Sequence, residues 1–219
     1  MSIVGTPSEW VDLIDPMVPQ ILHLVVSTWD GMQPPALDAR EDDITEALCR
    51  ALRTNRTARD LMFTIETQMV ELDPQPGESM GRLDIAFRPT IPREDVYFCL
   101  ECKRLNAQVN GKIRAYAVEY VTHGMLRFVT GQYARAVRHG GMLAYVLDGD
   151  LKRALANIEG NLGTQCSALC MASPGSFQPS STGVDDSRIR ETHHQRLHDA
   201  TLFRIHHVFV GRQGSSLTS

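Results

Sequence analysis

Two neighbouring apolar runs constrain this chain more than anything else in it. The first reads Gly81-Arg82-Leu83-Asp84-Ile85-Ala86-Phe87, the second Val96-Tyr97-Phe98-Cys99-Leu100-Glu101-Cys102-Lys103. Both are rich in β-branched and aromatic residues and are bounded by Gly, Pro and polar clusters, so they read as strands. Alternate side chains of a strand share a face. That rule sets Leu83, Ile85 and Phe87 against Asp84, and Phe98, Leu100 and Cys102 against Glu101 and Lys103. The expectation is two carboxylates and an amine meeting on the solvent side of a sheet whose other face is core.

That trio suits a magnesium-assisted hydrolysis. Magnesium takes oxygen ligands at about 2.0–2.1 Å, from one or two carboxylates together with phosphate oxygens and waters. It neutralises charge on the phosphorus oxygens, while a neighbouring lysine orients or deprotonates the attacking water. The same residues also fit a hairpin with solvated charges and an incidental cross-strand ion pair. Order and context favour the site, because Glu-x-Lys here closes a strand-like run rather than lying on a surface helix.

Asp84 followed by Glu101-Cys102-Lys103 resembles the motif of the PD-(D/E)XK nuclease superfamily, the restriction-endonuclease-like fold. The resemblance implies that Asp84 and Glu101 hold the metal, that Cys102 contributes its backbone carbonyl, and that Lys103 is catalytic. Leu83 stands where the family usually has proline. The implied cofactor is Mg2+, with Mn2+ as a substitute, and the implied substrate is DNA. A role in prokaryotic restriction or antiphage defence, as a homodimer or beside a partner ATPase or helicase, follows from the resemblance alone. Two alternatives stand beside it: a catalytically inactive nucleic-acid-binding or scaffold subunit of a defence complex, and a nuclease acting on RNA.

The surrounding pattern agrees. Residues 42–52 read as a helix, with Ile44, Ala47, Leu48, Ala51 and Leu52 on one stripe. Residues 62–72 alternate as a first strand, and the two motif strands follow. A long helix is expected from Ile113 to His139, ended by Gly140-Gly141, and residues 142–147 read as a buried strand. This predicts an α/β fold with a mixed central sheet flanked by helices in αβββαβ order. Glu41 borders the stripe of the first helix and is a further catalytic candidate. Plain complementation of the helix dipole explains it equally well, and Glu46 is expected to face water.

Charge is uneven along the chain. The whole is formally −4, yet the segment 102–141 carries Lys103, Arg104, Lys112, Arg114, Arg127, Arg135 and Arg138 against Glu119 alone. Such a surface suits a phosphodiester backbone, though an ordinary amphipathic helix would show the same. Tyr116, Tyr120 and Tyr133 read as base-stacking or packing residues, and Gly124 and Gly131 as places of close approach on that helix.

A single domain fits 219 residues. Its expected parts are an N-terminal helical extension over 1–38, a core over about 40–160, a mobile loop over 172–190, and a C-terminal strand over 201–210 added at the sheet edge. No stretch is long and apolar enough for a membrane span, and no secretory signal is evident. The five cysteines are an odd number and argue against a disulfide framework. A cytoplasmic setting without membrane contact is therefore expected.

Overall fold

A computed structural model describes residues 13–70, 81–90, 95–196 and 202–211. In chain order the elements are α1 (Val18–Asp30), α2 (Glu41–Ala58), β1 (Phe63–Val70), β2 (Arg82–Pro89), β3 (Phe98–Leu105), β4 (Ala107–Val109) and β5 (Lys112–Arg114). A helix follows, α3, made of Ala117–Tyr120, the wider π turn Val121–Met125 and Leu126–Val129. Then come β6 (His139–Val146), α4 (Leu151–Gln165), β7 (Gln178–Pro179), β8 (Ile189–Gln195) and β9 (Leu202–Val210). The fold is α/β, with a mixed seven-stranded sheet in the order β1-β2-β3-β6-β9-β8-β7. The central strands β3, β6 and β9 run parallel, and the flanking pairs are antiparallel.

Both faces of the central strands are covered, which explains why β6 is apolar along almost its whole length and why β3 is apolar up to Glu101, Lys103 and Arg104. Cys102 and Tyr145 look toward α1 and α2: Tyr145 Oη lies 3.3 Å from Cys102 Sγ and 3.1 Å from Thr45 Oγ1, and its ring stacks on Trp29. The opposite face carries Glu101 and Met142 and is covered by α3. Gly124 makes that approach possible, since a Cβ there would lie 2.3 Å from the Met142 methyl. Glu101 on β3 therefore faces a helix-covered interior rather than the expected open side, whereas Asp84 and Lys103 stay partly exposed.

Several expectations change for local reasons. The long helix over 113–139 does not form. Asn110 and Gly111, both at positive φ (49° and 76°), make a two-residue turn joining β4 to β5. Helix α3 stops at Gly131, where φ is 80°. Gly140 and Gly141 do not end a helix; they lie inside β6, where a Cβ would collide with Phe128 or Leu100. Strand β9 is not at the sheet edge but between β6 and β8. Helix α1 packs on the core, as its apolar run suggests, with Ile21, Leu22, Leu24 and Val25 fully buried. The loop over 172–190 carries β7 and is tied to β8, Ser181 N–H donating to Glu191 Oε2 at 2.8 Å. Cys49, Cys99 and Cys102 are buried in the core. Among the described residues no helix is long and apolar enough to cross a membrane.

The β8–β9 half of the sheet contains a buried polar chain whose proton positions follow from elimination. The Leu169 carbonyl only accepts, so His194 Nδ1 carries the proton in their 2.7 Å bond. His194 Nε2 therefore accepts the Thr192 hydroxyl at 2.7 Å. Thr192 Oγ1 in turn accepts from His207 Nε2 at 2.8 Å, and His207 Nδ1 accepts from the Tyr120 hydroxyl at 2.8 Å. Every link needs neutral imidazoles. Burial depresses both, His194 to about 4 from an ordinary 6.5 and His207 further.

Below about pH 6.5 the unfolded chain binds protons that these folded histidines refuse. Their contribution is present above that pH and lost as pH falls toward 4. Urea unfolding should show lower stability at about pH 4.5 than at about pH 7.5. Thr192→Val, which breaks the chain at its hydroxyl, should cost about 1–3 kcal/mol at the higher pH. A variant as stable as the parent would mean that the chain of bonds contributes nothing.

Candidate active site

Asp84 sits where the sheet opens. The β2–β3 ladder runs from Phe87↔Phe98 to Ile85↔Leu100 and stops there. On the other side β1 pairs through Thr67↔Ile85 and Met69↔Leu83, while Gln68, between them, has a left-handed backbone at φ 56°. A glutamine is rarely found in that region, and such local strain concentrates at functional sites. With the ladder ended, the Cys102 N–H donates to Asp84 Oδ2 at 2.7 Å. A side chain thus replaces a backbone acceptor and ties Asp84 to the Glu-Cys-Lys segment.

Glu101 is only 1% exposed. A carboxylate so deeply buried needs cations, and two supply them. Lys103 Nζ donates to Glu101 Oε1 at 2.7 Å, and the Arg127 guanidinium donates to the same oxygen at 2.9 Å. Lys103 also donates to the Cys102 carbonyl at 2.8 Å and to Glu41 Oε1 at 3.3 Å. Glu41 stands in the first turn of α2, and its other oxygen accepts the Arg104 N–H at 2.8 Å. Glu101 Oε2 is buried without a hydrogen-bond partner among the described residues.

The predicted residues Asp84, Glu101, Lys103 and Glu41 therefore come together, with the Cys102 carbonyl beside them. Glu46 is exposed, yet it does not simply face water: it lines a cleft of about 230 Å³ together with Thr45, Cys49, Arg53, Gln68 and Asp84. Sequence reasoning missed the part played by Arg127, whose side chain is 37% exposed. It was one base among several on an expected helix, and nothing in the spacing pairs it with Glu101. Tyr133 fixes it in place, accepting from Arg127 at 2.7 Å and donating to the Arg82 carbonyl at 2.8 Å. Gly81 leaves room for that ring, since a Cβ there would lie 2.3 Å from it. Arg56 and Arg59, at and just beyond the end of α2, donate to the Leu61 carbonyl and the Ser27 hydroxyl.

The electrostatics suit a cation. Burial, and then the neighbouring Glu101, push the Asp84 carboxyl up to about 7. Burial also raises Glu101 despite its two cations. Burial alone would lower Lys103, but the carboxylates of Glu101, Glu41 and Asp84 outweigh it and raise the ammonium above its ordinary value. Lys103 is therefore a firmly charged donor in this arrangement, suited to orienting a water or phosphate oxygen rather than to taking up a proton.

Could the site take a divalent ion? Among the described residues no three His, Cys, Asp or Glu side chains are gathered as a ready-made cage. Magnesium does not require one, since one or two carboxylates with substrate phosphate oxygens suffice. The unpartnered Glu101 oxygen and the raised Asp84 carboxyl are the two groups that a bound cation would satisfy. The donor set fits.

The Asp84 shift has a consequence for stability. Between about pH 4 and 7 the folded state holds a proton that the unfolded state has released, so stability falls as pH rises through that window. Asp84→Asn keeps an acceptor for the Cys102 N–H and removes the charge. It should stabilise the metal-free protein at about pH 8 by on the order of 2–4 kcal/mol, with the gain vanishing near pH 4. A gain of equal size at both pH values would show that the charge is not its cause. Compared with family models, curated proteins and solved structures, the chain matches none, and its functional reading stands on this arrangement of side chains.

Proposed function

We propose that this protein is a metal-dependent nuclease of the PD-(D/E)XK type, hydrolysing phosphodiester bonds in DNA. The observation that carries this reading is the meeting of Asp84, Glu101 and Lys103: Asp84 holds the Cys102 N–H, Lys103 donates to Glu101 Oε1, and Glu101 Oε2 is buried without a hydrogen-bond partner among the described residues. The element order supports it apart from the added β4–β5 hairpin: α2, β1 to β3, then, after that hairpin, α3 and β6, against the helix, three strands, helix, strand order that the resemblance implies.

Each residue has a physical role in this reading. Asp84 and Glu101 would hold a magnesium ion, with the Cys102 carbonyl beside them. The ion, when bound, supplies Lewis-acid stabilisation of charge on the phosphorus oxygens. Lys103, held charged by Glu101 and Glu41, has its three N–H groups engaged by Glu101, the Cys102 carbonyl and Glu41, and would turn the longest of these bonds, 3.3 Å to Glu41, toward the attacking water or a phosphate oxygen. Arg127, anchored through a single nitrogen to Glu101 and Tyr133, keeps the rest of its fork for a phosphate. Glu41 positions Lys103. The reading extends by resemblance to restriction or antiphage defence inside a prokaryotic cell, as a homodimer or with an ATPase partner.

The test incubates purified protein with plasmid, single-stranded DNA and tRNA, each with Mg2+, Mn2+ or EDTA. Cleavage of DNA should require the divalent ion, and Asp84→Ala and Lys103→Ala should each lower it by at least about 100-fold. Both variants should remain folded by circular dichroism. Mn2+ should also raise the melting temperature of the parent but not of Asp84→Ala. Cleavage of tRNA alone would move the substrate to RNA. Cleavage persisting in both variants would remove these residues from the mechanism.

A further inference from the structure

The hairpin of β4 and β5 is rooted in the core at Ala107, which is fully buried, and turns exposed along β5. All three residues of β5, Lys112, Ile113 and Arg114, are exposed, Ile113 at 46%. A two-stranded ribbon this short is not stable by itself in water, yet this one is held at several points. Asn106, at its base, is 1% exposed and left-handed at φ 50°. Its amide donates to Asp148 Oδ1 at 3.0 Å, and its N–H donates to the Ala115 carbonyl at 3.2 Å. The Gln108 N–H donates to the Leu37 carbonyl at 2.8 Å. Tyr116, beyond the far end, lies under the guanidinium groups of Arg104 (5.1 Å) and Arg114 (4.5 Å).

The arm grows directly from the strand that carries Lys103, with Leu105 and Asn106 between Arg104 and β4. The chain thus fixes the ribbon's direction relative to the candidate site. The ribbon and its base carry Arg104, Lys112 and Arg114 against Glu119, which pairs with Arg114, and Asp148, which pairs with Arg153. Rigidity, a net positive charge and an exposed aliphatic group flanked by cations are what a groove of duplex DNA would meet. The major groove is wide enough for a two-stranded ribbon, Lys and Arg reach phosphates and guanine edges there, and an apolar side chain meets a thymine methyl.

We infer that the β4–β5 ribbon enters a groove of duplex DNA beside the candidate site and supplies the duplex contact, Lys112 and Ile113 being its leading residues. This rests on the nuclease reading and deepens it. The test measures binding of a short duplex and of its single strand in Ca2+, across a salt series, for the parent and for Lys112→Glu with Ile113→Ser. Cleavage of the same duplex by the parent in Mg2+ is followed in parallel.

The double variant should keep its melting temperature, lose at least about 10-fold in duplex affinity, and lose about one unit of salt slope. Its single-strand affinity should stay within about two-fold of the parent. Parent cleavage of the duplex with duplex affinity unchanged in the variant would overturn the ribbon's role and leave the nuclease reading standing. A parent that binds single strands as tightly as duplex would also overturn it. A parent that neither binds nor cuts nucleic acid would remove both.

Discussion

Glu101 is the constraint on which the centre of this structure depends. A carboxylate has been taken out of water in the middle of a sheet, and two elements supply what it lost: Lys103 from its own strand and Arg127 from α3, while Glu41 from α2 shares Lys103 and adds a second negative charge. Removing one partner of such a cluster leaves an uncompensated buried charge and is strongly destabilising. Replacing the whole cluster by apolar residues would often be neutral or favourable. The cluster is therefore weak as a stability device, and its expense points to the chemistry it makes possible.

Asp84 shows the same trade. Both ladders that should flank it are interrupted, one by ending at Ile85↔Leu100 and one by the left-handed Gln68. The carboxylate compensates one lost backbone bond through the Cys102 N–H and keeps its other oxygen available. Local disorder of the hydrogen-bond pattern and availability of a charged group go together here, as expected where a binding site is cut into a sheet.

The strands around the site were legible because β-branched and aromatic runs with strict alternation have few other solutions. The stripe of α2 was legible because its apolar spacing has the helical period. The pairing of Asp84 with Glu101 and Lys103 was legible for the same reason, since alternation alone decides which side chains share a face. What failed was tertiary. Nothing local says that α3 would cover the supposedly open face, and Gly140-Gly141 looks like a helix stop until Phe128 and Leu100 are seen to need the space. Asn110-Gly111 is a turn signal, and the hairpin it makes takes up the start of the stretch where the spacing predicts a helix. Arg127 escaped because its partner lies on another element, and sequence spacing carries no record of such a pairing.

The π turn of α3 has a further effect. Tyr120 precedes it and holds His207 on the β9 side, whereas Arg127 follows it and holds Glu101 on β3. A uniform α-helix advances about 100° per residue, so the wide turn sets the angular offset between these two attachments. Shortening it by one residue would restore regular pitch and swing Arg127 around the axis by about that angle. The loosest turn of the helix thus acts as an indexing joint, fixing how one half of the sheet is clocked against the other.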